Sequence, residues 1–171
     1  MKAVLAGFWA GLTIVTSYAQ SVDTYLDGKT VFVTIADTNR QSEAWATCAA
    51  TYGILASFFD AGSAQAQEFK NMGNGAALAV SMTHVAKGFT ENISQERFNA
   101  LWNYSKTLSQ TLPDARRTMI MADAERLKNN QQRFSDKLMA TARICMANVD
   151  GQQMYIDLWR ELAKSGMLKI E

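Results

Sequence analysis

The sequence predicts an all-α protein: an antiparallel bundle of four main helices with a shorter C-terminal helix, preceded by an extended arm. Three observations carry that expectation. Beyond Asp37 the apolar residues recur at gaps of three and four, the period of one helix face, across nearly all of the chain. Capping residues, glycines and one proline divide this pattern into helix-sized segments. Two cysteines, Cys48 and Cys145, fall on the apolar stripes of segments that an up-and-down bundle sets side by side.

In chain order, residues 1–19 have the form of a secretory signal peptide. Lys2 precedes the apolar stretch 3–16, and Ser17-Tyr18-Ala19 places small residues at the −3 and −1 positions of a cut before Gln20. Gln20, rather than cysteine, follows that cut, which argues against a lipid anchor. Such a segment predicts a periplasmic or secreted protein. Residues 20–36 form the arm: Asp27-Gly28-Lys29 has turn chemistry, and residues 30–35 are rich in β-branched side chains. No second run of this kind follows, so the expectation is an arm or an isolated strand and not a sheet. Residues 37–171 make one helical domain; cleavage leaves roughly 150 residues, enough for one real core.

The first helix is expected from a cap at Asp37 or Asn39 to a stop near Gly62, with Trp45, Cys48, Ala49, Tyr52, Ala56 and Phe59 on its inner face. The second begins near Ser63 and is thin in the middle, where Gly73, Gly75, Ala76, Ala77 and Ala79 let a neighbouring backbone come close. Ser94 caps the third, whose stripe includes Phe98, Leu101, Trp102 and Leu108, and a break is expected at 110–112 because Pro113 disfavours helical geometry before it. The fourth helix then runs to Val149 through Ile120, Leu127, Phe134, Leu138 and Cys145, weakest at Asn129-Asn130-Gln131-Gln132. Asp150 and Gln153 have capping-box spacing and open the fifth, which Gly166 ends. Met167, Leu168 and Ile170 are expected to fold back over that end.

An even cysteine count in an oxidising compartment predicts a Cys48–Cys145 disulfide, with two buried free thiols as the alternative. The chain carries 17 basic and 16 acidic side chains, and loss of Lys2 with the signal leaves them equal. That neutrality argues against nucleic acid as a partner. No segment after the signal is long and apolar enough to anchor the mature chain in a membrane. Residues 114–144 nevertheless hold seven bases against four acids, a solvated helix face or a patch for an anionic partner.

The motifs point to no reaction and no cofactor. His84 is the only histidine and has no metal ligand three or four residues away. C-x-x-C-H is absent, and the spacing selects none of the eight methionines beyond Met1 as a haem ligand; Met119, Met121, Met139 and Met146 are explained by core filling. Ser81 lies one turn before His84 but inside a regular helix, without the sharp turn that exposes a nucleophile. Gly73-Asn74-Gly75 lacks the strand and Gly-Lys-Ser/Thr of a phosphate loop. Asp123 with Glu125, and Asp157 with Glu161, have the spacing of surface carboxylates.

Two expectations of function follow. The first is a non-enzymatic interaction, structural or accessory role outside the cytoplasm, through a protein partner or a second copy of the chain. Tyr155, Leu158, Trp159 and Leu162 of the last helix are the candidate contact surface, unless that helix simply covers the end of the bundle. The second is carriage of a small apolar ligand between helices, with a metal- or haem-binding bundle behind it.

Overall fold

The computed structural model describes residues 23–26, 30–90 and 92–168, which leaves the signal segment and Ile170 outside the described residues. After a 3-10 turn at Phe32–Thr34 come α1 (Thr38–Ala56), α2 (Ala64–Gly88), α3 (Gln95–Arg126), α4 (Gln131–Ala147) and α5 (Val149–Lys164), with no strand among the described residues. The all-α bundle is as the sequence predicts. Asp37, Ser63 and Ser94 cap α1, α2 and α3, each side chain accepting from the backbone N–H three residues on. Gly166, at φ +77°, ends α5, and the Leu168 N–H donates to the Leu162 carbonyl at 3.3 Å while the Leu168 side chain is buried.

Four boundaries differ from expectation. No break occurs at 110–112: α3 is continuous through Pro113. Phe98 and Ser105 before the proline and Ile120 after it are all buried in one core, and this packing outweighs the roughly 3 kcal/mol that an interior proline costs. The chain breaks instead at residues 127–130, in the weak polar stretch, where Asn130 accepts from the Arg133 N–H and caps α4. The first helix stops at Ala56, six residues short of Gly62, so Phe59 leaves the inner stripe. Asp150 caps nothing: one residue, Asn148, separates α4 from α5, and Asp150 already lies in the first turn.

α1 is the central element. Fourteen of its nineteen residues are buried, so it is enclosed on all sides rather than on one stripe. Small side chains make this possible. α2 lies against it at Gly73, where a β-carbon would sit 3.5 Å from the Ala49 carbonyl oxygen and 3.6 Å from Tyr52 Cβ. α3 packs on α1 and α2, α4 on α1, and α5 on α2. At that last contact the Gln152 side chain fills the space that a β-carbon on Gly75 would need. Trp45 of α1 is fully buried, edge-on to Phe32 at 4.8 Å and to Tyr155 at 6.1 Å between ring centroids.

The arm completes this core without becoming a strand. Its strand-like run is a single 3-10 turn flanked by extended residues. Side chains replace the missing partner strand: the Phe32 N–H donates to Asn148 Oδ1 at 2.8 Å, and Gln41 Nε2 donates to the Phe32 carbonyl at 2.9 Å. Nearer the start of the arm the Tyr25 N–H donates to Thr141 Oγ1 at 3.0 Å. The described part of the arm is thus held at Tyr25 and at Phe32.

Candidate functional site

Cys48 in α1 and Cys145 in α4 are joined, with an S–S distance of 2.02 Å and Cα atoms 5.5 Å apart, and both are buried. The bond staples the first helix to the fourth. Of the four residues expected on a contact surface, Tyr155 and Leu162 are 5% and 7% exposed and belong to the core, whereas Leu158 and Trp159 are half-buried against it. The side of α5 that carries the expected patch therefore packs inward.

Apolar surface is exposed elsewhere. Met119, Met121, Met139 and Met146 fill no core; each is 40% to 44% exposed. They lie one residue beside the inward positions Ile120, Leu138 and Cys145, where a turn of about 100° takes a side chain out of the interior. In the short connection between α1 and α2, Phe58 is 64% and Phe59 41% exposed. The Phe59 ring has support from beneath. Phe59 stacks on Phe69 at 5.7 Å, and Phe69 leans on the buried Tyr52 at 6.3 Å, so an aromatic ladder runs from the core to the loop. Burial pushes the Tyr52 hydroxyl up to about 12. The sequence concealed this loop because Phe59 continues the helical period of α1.

His84 is half-buried, and burial holds it below the ordinary histidine value. Its ring meets Tyr104 edge-on at 5.5 Å, and no three His, Cys, Asp or Glu side chains come together as metal ligands among the described residues. Ser81 is buried in the core. The surface carboxylates Asp157 and Glu161 pair with Arg160 and Lys164.

Asp123 has a more specific role in a polar latch that holds the arm. Its Oδ2 accepts from the Tyr25 hydroxyl at 2.8 Å and from Lys137 Nζ at 3.1 Å, and the Lys137 ammonium lies 4.3 Å from the centre of the Tyr25 ring. Lys137 also reaches Asp23. The Tyr25 hydrogen bond and Lys137 hold Asp123 below the usual carboxylate value. Burial, followed by Asp123, pushes the Tyr25 hydroxyl up. The sign for Asp123 is that of a depressed acid: its contribution to stability is complete above the unfolded value near pH 4 and is lost as pH falls through the lower folded value. Melting temperature should therefore fall more steeply with acidification below about pH 4 in the parent than in Asp123→Asn. Parallel slopes would show that this latch carries no proton linkage.

Between the arm and the first half of α1 lies a cleft of about 550 Å³. Leu26, Phe32 and Ile35 of the arm and Ala44 of α1 give it an apolar lining, and Arg40, Glu43 and Arg116 stand around it. Arg116 of α3 is ion-paired with Glu43. The cleft lies under the arm, not between bundle helices where a carried apolar ligand was expected. Among the described residues no helix is long and apolar enough to cross a membrane. Comparison with family models, curated proteins and solved structures returned no match.

Proposed function

We propose that the chain is an exported, non-enzymatic protein of the bacterial periplasm that acts by holding a protein partner at the Phe58-Phe59 loop. The observation that carries the reading is a pair of exposed phenylalanines, of which Phe59 is braced on Phe69 and through it on Tyr52. A braced ring such as Phe59 loses little conformational freedom on binding, and the two rings together remove a large apolar area from water, the properties of an interface hot spot. The signal-like residues 1–19 and the buried Cys48–Cys145 bond support export to an oxidising compartment.

Site-specific photocrosslinking in living cells tests both parts. A photoreactive phenylalanine analogue at position 58 should give one discrete protein adduct in the periplasmic fraction, on a chain that begins at Gln20 or within two residues of it. The same analogue at Tyr104, another exposed aromatic position, should not give that adduct. Absence of an adduct at 58, or identical adducts at both positions, rejects the docking loop. An intact Met1 on a cytoplasmic chain rejects export.

A further inference from the structure

The cleft beneath the arm belongs to a different part of the molecule from the Phe58-Phe59 loop: it borders the first half of α1, whereas the loop follows that helix's C-terminal end. We propose that this cleft binds a small amphipathic anion, an apolar chain or ring bearing one carboxylate. Its volume falls within the roughly 300–1,000 Å³ of small-molecule pockets. Tyr25 and Phe32, lining residues on the arm side, are each held to the bundle by hydrogen bonds, so these parts of the cleft wall are in place before any ligand arrives. Binding then carries little ordering cost.

The charges fix the polarity of the ligand. Four charged side chains line the cleft: Asp37, Arg40, Glu43 and Arg116. Glu43 and Arg116 neutralise one another in their ion pair. The Asp37 carboxylate accepts from the Arg40 backbone N–H at 3.0 Å and offsets the positive end of α1. Among the described residues the Arg40 guanidinium makes no ion pair, so its positive charge is the one left uncompensated at the cleft. A planar, five-donor guanidinium beside apolar Leu26, Phe32, Ile35 and Ala44 is complementary to a carboxylate with an apolar body.

Isothermal titration of the mature protein with decanoate, decanol and decylammonium, each below its micelle concentration, provides the test. Decanoate should bind one per chain and more tightly than the other two. Arg40→Gln should weaken decanoate by about tenfold, the order expected for one charge-assisted contact, and leave decanol unchanged. Ala44→Leu, which extends a side chain from the cleft lining, should weaken both. If it does not fold, Arg40→Gln still decides the matter, because Arg40 is exposed and only its backbone N–H serves the α1 cap. Phe58→Ser with Phe59→Ser should leave decanoate binding intact, which separates this site from the docking loop. Decanoate binding no tighter than decanol or decylammonium, unchanged in Arg40→Gln, or lost in the double phenylalanine variant would overturn the proposal.

Discussion

Phe32→Ala should destabilise the protein by about 3–5 kcal/mol, the range for deletion of a fully buried aromatic side chain. Phe32 is 1% exposed although it lies in the arm and not in a helix, and its ring closes the core over Trp45. Removing the ring opens a cavity against Trp45 and loosens a segment whose backbone is tied to the bundle at that point by Asn148 and Gln41. Urea unfolding followed by tryptophan fluorescence measures the loss. Val31→Ala, at an exposed neighbour, serves as the control and should stay within about 0.5 kcal/mol of the parent. A loss below about 1 kcal/mol for Phe32→Ala would mean that the arm is a dispensable covering rather than part of the core.

The second large effect is expected from the disulfide. Cys48→Ala should cost about 2–4 kcal/mol, because the bond closes 97 residues of chain and thereby restricts the unfolded state. The same loss should appear when the parent is unfolded under full reduction, and the variant should then be insensitive to the reductant. If Cys48→Ala and oxidised parent unfold at the same urea concentration, the bond constrains nothing that folding does not already fix.

What the sequence made legible is local. Asp37, Ser63 and Ser94 bond to N–H groups three residues on, and Gly166 acts within its own turn, so the residues that decide these helix ends are neighbours in the chain. The cysteine pair was legible for another reason: two thiols allow one intramolecular pairing, and both lay on apolar stripes. Pro113 was misread because the packing that keeps α3 continuous comes from other helices. Asn148 could not be read as a joint, since the N–H it accepts belongs to Phe32, far away in the chain. The all-round burial of α1 was hidden by Gln41, Ser42, Thr47 and Thr51, which look like a solvent face but lie inside. Gln41 finds the Phe32 carbonyl and Thr47 the Glu43 carbonyl, so both are satisfied where the sequence shows only polarity. At the surface the error ran the other way: periodicity places Phe59 on the inner stripe and core filling accounts for Met119, Met121, Met139 and Met146, yet all five are exposed.

The anchoring of the arm also sets an order of events during synthesis. Tyr25 bonds to Thr141 and Phe32 to Asn148, each across 116 positions of sequence. The ribosome makes the arm first and these two anchors near the end, so through most of translation the arm has only its nearby contacts with Gln41 and Trp45. α1 and α2 are adjacent and can pair early, but the side of Trp45 that Tyr155 covers stays open until the last quarter of the chain emerges. Native contacts this distant slow closure, because a long loop must be ordered before they form. The arm can reach its native anchorage only when the chain is nearly complete.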